Sequence, residues 1–358
     1  MLNRKQLPFH KRIFTLICLA TSCSALYAQE KKTDTATVLR LPVPEPPNRK
    51  YIGDYHRDLT LRVFGARRYY SYGLHDKGFA YNPKYFPNTP FNIGAGFNYR
   101  VLGLNIGFNL PLINDTKEHG KTRFLDLQTH FYGRKLTMDV LFQHYRGFYM
   151  PEYNFLKDGT AQDPVYIRPD IRFTNLGFSA QYLLNGKKFS IRAAFLQNET
   201  QLRSAGSPII GGGVNLTRIA ADSSIIPGNP SQDNYFDNLH FNRSSILSSQ
   251  VHAGYGYTIV LPLHLFITAA VTAGIGVNFS SLNGPGERTQ GIGTDAFSTA
   301  RLGMGYNSRR YFAGIQYYGT LLSSSAPLIY TRQEFGAGNF RISFARRFTL
   351  KKNLIGIY

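Results

Sequence analysis

Apolar residues alternate with polar residues or glycine along most of the chain after about Leu59. In the clearest run, from Phe91 to Tyr99, odd positions are apolar and even positions are asparagine or glycine. A second run, from Leu102 to Leu110, has its apolar residues on even positions. A period of two predicts β-strands whose two faces meet different surroundings. The change of register between the runs is typical of a tight hairpin whose apolar rows share one side of the sheet.

The same pattern recurs along the chain and predicts twelve antiparallel strands. Asn185-Gly186 is the strongest short hairpin signal, and we expect it to join the sixth strand to the seventh. The nearly apolar stretch 259–277 has the hydropathy of a membrane helix, but Pro262, His264 and the alternating small residues favour a strand. The predicted strands contain residues 59–72, 91–99, 102–110, 125–131, 136–142, 176–182, 189–195, 247–257, 265–277, 302–306, 311–317 and 340–344.

The connections between these strands alternate in length. Tight turns join five hairpins, whereas long polar stretches lie near residues 73–90, 111–121, 147–170, 200–244, 280–296 and 321–334. Short periplasmic turns and long extracellular loops are typical of bacterial outer-membrane barrels. We therefore predict an all-β fold, a transmembrane antiparallel up-and-down β-barrel of about twelve strands. A soluble β-sandwich is the alternative, but it does not explain the regular alternation of lengths.

Aromatic residues crowd the ends of several predicted strands. A barrel in a membrane carries girdles of aromatic side chains at both lipid–water interfaces. We expect these residues to supply the girdles: Tyr69, Tyr70, Tyr72, Tyr145, Phe148, Tyr149, Tyr317 and Tyr318.

The N-terminus reads as a secretory signal followed by a leader. A basic start, an apolar stretch and Ala25-Leu26-Tyr27-Ala28 predict a signal peptide over residues 1–28, with cleavage after Ala28. Cleavage before Cys23, as in a lipoprotein, is the alternative. Residues 29–50 are polar and then proline-rich, which predicts an extended periplasmic leader. Residues 51–358 are the predicted outer-membrane barrel.

The chain is strongly basic, with a formal charge of +20. In a cytosolic protein this balance would suggest nucleic acid. Export changes the expected partners to outer-membrane lipid and lipopolysaccharide, because the outer leaflet is rich in phosphate. We expect no nucleic acid, and we expect the barrel-assembly machinery to act during insertion. The small-molecule ligand stays unknown.

If the apolar rows face lipid, the opposite rows line the lumen. Arginine exceeds aspartate on these rows, so one interpretation is a narrow pore for small solutes, with a preference for anions. The alternative is that the arginines pair with carboxylates and stiffen the wall of a non-conducting structural or surface-binding barrel. The candidate lumen residues are Asp126, Gln128, His130, Asp139, Gln143, Arg192, Gln250, His252, Arg301, Arg341 and Arg347.

A membrane-embedded lipid hydrolase or acyltransferase is a third hypothesis, which the sequence favours less than a pore or a structural barrel. It needs a nucleophile beside a histidine, and the spacing from Ser248 to His252 is too long for direct neighbours on one strand. We assign no catalytic residue, no cofactor and no metal, because the histidines lack zinc spacing. The run Gly211-Gly212-Gly213 lacks the context of a phosphate cradle and predicts a flexible loop.

Several short motifs of this sequence resemble those of a known family. The motifs are Tyr145-Arg146-Gly147-Phe148-Tyr149, Asn185-Gly186-Lys187-Lys188-Phe189-Ser190, Arg192-Ala193-Ala194-Phe195, Gln197 and Ser204-Ala205-Gly206-Ser207. The chain from about Tyr51 to the C-terminus resembles an uncharacterised family found in the Bacteroidota, domain-of-unknown-function family 4421. The resemblance implies an outer-membrane barrel in such bacteria and supplies no activity, ligand or catalytic residue.

Overall fold

A computed structural model describes residues 46–79, 82–99, 102–110, 116–151, 165–227, 234–325 and 327–350. The predicted signal peptide and all but the last five residues of the predicted leader lie outside this range. The strands are β1 (Ile52–Asp54), β2 (Leu59–Asp76), β3 (Lys84–Tyr85), β4 (Phe91–Tyr99), β5 (Leu102–Leu110), β6 (Arg123–Tyr132), β7 (Leu136–Met150), β8 (Tyr166–Leu183), β9 (Glu199–Gln201), β10 (Ala205–Ala220), β11 (Arg243–Val260), β12 (Leu265–Gly284), β13 (Glu287–Asn307), β14 (Tyr311–Ser325) and β15 (Thr331–Phe348).

Helices are few and short. The structure gives α1 (Thr116–His119), α2 (Ile191–Phe195) and the 3₁₀ turns Tyr235–Asn238 and Pro262–His264. Within the described ranges, none of the helices has the length and apolarity that a membrane crossing needs.

Twelve strands follow one another in a single antiparallel sheet, which confirms the predicted number. Their order is β5-β4-β2-β15-β14-β13-β12-β11-β10-β8-β7-β6, and β3 pairs with β2 beside this path. The first and last long strands, β2 and β15, pair over eighteen residue positions, so the edges of the sheet are β5 and β6. A separate two-stranded sheet joins β1 to β9.

The sheet is curled, and its convex and concave faces differ in polarity and in exposure. Outward-facing apolar side chains are exposed, for example Val251 at 66%, Ile275 at 73% and Phe108 at 72%. The opposite rows are mostly polar and buried. Side chains of distant strands meet there: a guanidinium nitrogen of Arg301 on β13 lies 2.5 Å from a carboxylate oxygen of Asp139 on β7. Such a contact between strands five places apart requires a strongly curved sheet with a filled concave face.

We call the end of the sheet that carries the connections 100–101, 133–135, 261–264 and 308–310 the turn end, and the opposite end the loop end. At the loop end, residues 86–90 link the two edge regions of the sheet. Phe86 and Tyr149 exchange two backbone hydrogen bonds of 2.8 Å. The Asn88 side chain donates to the Gly120 carbonyl at 2.9 Å, and Thr122 Oγ1 accepts from the Asn88 N–H at 2.8 Å.

The predicted seventh strand is wrong. The partner of β8 is β10, at residues 205–220, whereas residues 189–195 contain the helix α2. The signal at Asn185-Gly186 therefore does not mark a two-residue hairpin. Residues 184–204, which we call the plug, form the connection at the turn end between β8 and β10. Gly211-Gly212-Gly213, predicted to be a loop, lies within β10.

The strict alternation of short and long connections is also wrong. The predicted long stretch 280–296 is a hairpin with a two-residue turn at Pro285-Gly286 between β12 and β13, and the stretch 321–334 shrinks to residues 326–330. The stretch 200–244 shrinks to residues 221–242, while the predicted tight turn between the sixth and seventh strands becomes the plug.

The prediction that these aromatic residues form girdles is also largely wrong. Tyr69 and Tyr317 face outward and stack on one another, with ring centroids 6.1 Å apart. Most of the other rings face inward and pack in the interior, including Tyr70, Tyr72, Tyr145 and Phe148, which are buried.

Candidate functional site

The plug fills the turn end of the concave face. Phe189 and Ala194 are fully buried, as are Ile191 and Ala193 to within a few per cent. The helix α2 begins at Ser190, whose side-chain oxygen accepts from the Ala193 N–H at 3.1 Å, as expected for an N-cap residue. The buried backbone groups of the plug that α2 and the β1–β9 pairing leave without a partner need hydrogen bonds from the surrounding strands.

The wall supplies those hydrogen bonds from four strands. Asn98 on β4 donates to the Leu196 carbonyl at 2.6 Å, and Asn307 on β13 donates to the Ala193 carbonyl at 3.1 Å. Gln316 on β14 donates to the Ala194 carbonyl at 3.3 Å, and Arg347 on β15 donates to the Gln197 carbonyl at 2.7 Å. The plug is thus held around most of its circumference.

One buried carboxylate anchors the plug electrostatically. Glu199 is fully buried, and its two oxygens lie 2.6 and 3.0 Å from the Arg134 guanidinium. Arg192 lies 3.2 Å from the same carboxylate, and Ser190 donates to it at 2.5 Å. Two arginines therefore share one carboxylate, in a bidentate arrangement of the kind that makes strong charge-assisted bonds.

The plug is also joined to the residues that precede β2. Strands β1 and β9 pair from Ile52–Gln201 to Asp54–Glu199. Although burial raises the pKa of Asp54, hydrogen bonds from the His56 backbone at 3.0 Å and ring at 2.9 Å lower it below its usual value. The described N-terminal residues thus contact the interior through the plug.

A polar network occupies the middle of the concave face. Asp139 accepts from Arg301 and lies 2.7 Å from His130 Nδ1. Arg301 also donates to Gln181 Oε1 at 2.5 Å. The Gln181 amide nitrogen lies 3.1 Å from His252 Nε2. Since an amide nitrogen only donates, His252 accepts at Nε2 and carries its proton on Nδ1, which is buried and has no hydrogen-bond partner among the described residues.

The loop end of the concave face is apolar. Strand residues and the described parts of the connection between β10 and β11, residues 221–227 and 234–242, form one aromatic-rich cluster. The connection is tied down where Tyr85 donates to the Ile225 carbonyl at 2.7 Å and where the Phe236 N–H donates to Asp76 at 2.9 Å. Between this cluster and the polar network lies a cavity of about 50 Å³, lined by Tyr70, Phe173 and Gln250 among others. A cavity of that size holds only a few waters.

Ten of the eleven candidate lumen residues lie on inward rows of the strands, which the alternation predicts. Asp139, His130 and Arg301 meet directly, whereas Arg192 lies on α2, so its placement on a strand is wrong. These ten inward residues are Asp126, Gln128 and His130 on β6, Asp139 and Gln143 on β7, Gln250 and His252 on β11, Arg301 on β13, and Arg341 and Arg347 on β15.

Several interior residues were missed. Arg62 and Gln181 lie on inward rows of predicted strands, so the alternation alone would have found them. Asp295 lies on β13, within the stretch 280–296 that the sequence pattern predicts to be a loop. No periodic signal marks Arg134 or Glu199, because one lies in a turn and the other in the plug.

Potential metal and catalytic groups are sparse. No group of three or more histidine, cysteine, aspartate or glutamate side chains in the described ranges has the arrangement of a metal site. Ser248 donates to Asp295 rather than to a histidine.

The fold and its interior define a twelve-stranded, curled antiparallel sheet with an apolar outer face and a filled inner face. The family model for the domain of unknown function DUF4421 matches residues 46–348, and the chain belongs to that family. No curated protein matches the chain.

Solved structures with a similar arrangement include the outer-membrane protease OmpT from Escherichia coli, at 6% identity and a TM-score of 0.36, covering 83% of this chain and 98% of that one. The toluene transporter TodX of Pseudomonas putida has 7% identity and a TM-score of 0.23, covering 82% and 91%. Pseudomonas aeruginosa OpdQ has 10% identity and a TM-score of 0.22, covering 82% and 100%. At these TM-scores the likeness carries no argument about function.

Proposed function

We propose that the protein is an integral outer-membrane β-barrel that does not conduct ions, and that it acts as a structural or surface-binding barrel. The observation that carries the proposal is the filling of the concave face, with the plug at the turn end, a polar network in the middle and an aromatic-rich cluster at the loop end. A conducting channel needs a continuous aqueous path, and the cavity of about 50 Å³ is too small to be one.

The membrane location rests on the outer face. Contiguous exposed apolar surface of this extent is rare in soluble monomers. Around the sheet it forms the lipid-facing band that a transmembrane barrel needs. Strands in lipid must also leave no free edge, so we propose that β5 and β6 pair and close the barrel. Outer-membrane lipid, lipopolysaccharide and the assembly machinery are then the expected partners.

Conductance in planar bilayers tests the proposal. The mature chain, refolded in detergent and added to a bilayer of uncharged lipid, is expected to insert and to give no stepwise current. Insertion is checked by protease protection of reconstituted vesicles and by the shift in gel mobility between heated and unheated samples. Stepwise currents from the inserted, monodisperse protein would overturn the non-conducting assignment.

A narrow anion-preferring pore is the second candidate, and one observation favours it. Asn105, Gly107 and Asn109, which share one face of β5, are exposed, unlike the inward rows of most other strands. A passage along this side would run past Arg341. Under this candidate, Arg341→Gln lowers the preference for anions in the measured current, whereas Arg346→Gln, on the outer face of the same strand, leaves it unchanged.

We also propose that the protein is not a lipid hydrolase or acyltransferase. The proposal is supported by the separate partners of the inward serine and histidine on β11, since Ser248 binds Asp295 and His252 binds Gln181. A lipase assay of the refolded protein is expected to detect no turnover. Activity that disappears in His252→Ala would contradict this proposal.

A further inference from the structure

Exposed arginines form a row on the outer face of the sheet, at its loop end. Arg123 of β6 lies directly opposite Arg146 of β7, and Arg146 lies directly opposite Arg172 of β8. Strand pairing continues this row across β10, β11, β12 and β13. We call these positions the arginine row, because most of them are exposed arginines and none is acidic. They are Arg123, Arg146, Arg172, Ala220, Arg243, Asn283 and Arg288.

An unbroken apolar row runs parallel to the arginine row on the same strands. It lies four residues nearer the turn end on each strand, a separation of about 13 Å. When such a row contacts the hydrocarbon of a bilayer, the arginine row lies in the head-group region. All residues of the apolar row are exposed, and they are Leu127, Phe142, Leu176, Leu216, Leu247, Phe279 and Ile292.

A further arginine lies between the two rows. Arg218 of β10 is exposed and pairs in register with Thr174 of β8. It is therefore the diagonal neighbour of Arg172, a position from which long side chains reach one another. Four consecutive strands of the sheet, β6, β7, β8 and β10, thus each present an outward arginine just beyond the apolar row.

The protein leaves most of this positive charge without a counter-charge. Residues directly opposite one another on neighbouring strands have Cβ atoms about 5 Å apart, and like charges there are destabilising. Arg172 forms an ion pair with Asp222, but both side chains are largely exposed, so the pair is weak. Two neighbouring carboxylates have basic partners of their own: Asp170 lies 2.9 Å from Arg168, and Glu118 lies 3.8 Å from His119. The arginines that form no ion pair with any described residue are Arg123, Arg146, Arg218 and Arg243.

We propose that the arginines of β6, β7, β8 and β10 bind the phosphate groups of a phosphorylated lipid of the lipopolysaccharide type, while the apolar row contacts its acyl chains. Guanidinium groups suit phosphate, since they donate two parallel hydrogen bonds to its oxygens. Bound phosphates would also relieve the repulsion between the paired arginines. The site consists of Arg123, Arg146, Arg172 and Arg218.

The site deepens the proposed function and rests on the proposed membrane location, with the loop end at the outer surface. That orientation is supported by the pairing of β1 with the plug. The pairing brings the chain that follows the predicted periplasmic leader to the turn end, so the arginine row lies at the opposite end, in the leaflet that contains lipopolysaccharide.

Lipid titration of the full mature chain in uncharged detergent tests the site. The probes are lipid A, which is the phosphorylated anchor of lipopolysaccharide, the same lipid with its phosphates removed, and inorganic phosphate, all at constant ionic strength. Bound lipid is counted by native mass spectrometry, and the thermal unfolding midpoint is followed in parallel. Lipid A is expected to bind saturably and to raise the midpoint, and the dephosphorylated lipid to bind at least about tenfold more weakly. Inorganic phosphate at equal concentration is expected not to displace lipid A, because it has no acyl chains.

Arg146→Gln removes the central charge, which lies opposite both Arg123 and Arg172. The substitution is at an exposed position, so the variant is expected to fold. It is expected to bind lipid A about tenfold or more weakly and to bind the dephosphorylated lipid as before. Without lipid, its unfolding midpoint is expected to be higher than that of the original chain, because the repulsion is relieved. Arg346→Gln is the matched control, since Arg346 is exposed on the outer face of β15 at the turn end, and it is expected to bind lipid A like the original chain.

Three results would each overturn the arginine site: equal binding of lipid A and its dephosphorylated form, displacement of lipid A by an equal concentration of inorganic phosphate, or equal loss of binding in Arg146→Gln and Arg346→Gln. Insertion of the chain into lipid vesicles is measured separately. A chain that does not insert contradicts the membrane location, whereas a chain that inserts and gives any of these three results contradicts the arginine site alone.

Discussion

At the residue scale, two glycines have a positive φ, but only one of them lies where an added Cβ would also meet a neighbouring atom. Gly147 has a φ of +92° at a β-bulge in β7, and a Cβ there would collide with the Lys121 carbonyl oxygen. Gly286 has a φ of +83° in the turn between β12 and β13, and nothing lies within 4 Å of its would-be Cβ. The left-handed region costs a residue with a Cβ about 1–2 kcal/mol.

Gly286→Ala is therefore expected to lower the free energy of unfolding by about 1–2 kcal/mol, while Gly147→Ala lowers it further, because the wall must also shift. Urea titration of the two variants in the same detergent measures the difference. Equal losses would mean that the contact with Lys121 relaxes without cost.

The alternation of side chains accounts for most of what the sequence predicts at this scale. It places Asp139, Arg301 and His252 on inward rows, because a strand has a fixed period of two. It says nothing about which inward residues meet across the concave face. The Asp139–Arg301 pair depends on how strongly the sheet curls, which is a property of all the strands together.

At the scale of elements, the plug shows why the sequence pattern places the seventh strand in the wrong segment. Residues 189–195 alternate like a strand, but they are enclosed by the wall, so their apolar residues pack on all sides instead of one. The true strand β10 contains Gly211-Gly212-Gly213, whose composition is typical of a loop. A side chain at Gly211 would meet the Ala180 carbonyl and His252, so only glycine fits the close strand packing there.

Glu199→Gln tests how the plug is held. The substitution keeps the shape of the side chain but leaves Arg134 and Arg192 without their shared counter-charge. Removing one partner of a buried ion pair costs about 3–5 kcal/mol, and we expect a loss of that size in the free energy of unfolding. The plug is also expected to become sensitive to protease between residues 184 and 204. Glu287→Gln, at an exposed position, is the control. If Glu199→Gln left the free energy of unfolding unchanged, the ion pairs of Glu199 would not contribute to holding the plug.

At the scale of the whole molecule, the exposed apolar face of the curled sheet determines whether the protein needs water or lipid around it. Val271 is the middle residue of the outward row from Leu265 to Val277 on β12 and is 51% exposed, whereas Leu263 lies in the turn between β11 and β12 and is 82% exposed. In water the two positions would tolerate arginine about equally. In a bilayer, an outward arginine at the midplane costs about 2–4 kcal/mol and one near the interface about 0–1 kcal/mol.

Val271→Arg is therefore expected to destabilise the protein folded in lipid vesicles by about 2–4 kcal/mol, and Leu263→Arg by less than about 1 kcal/mol. Guanidinium-induced unfolding in vesicles, followed by tyrosine fluorescence, measures both. The comparison depends on depth rather than on exposure, because the more exposed residue is the one expected to tolerate the charge. If the two variants lost equal stability, the outer face would not be in contact with hydrocarbon, and the location in the membrane would have to be abandoned.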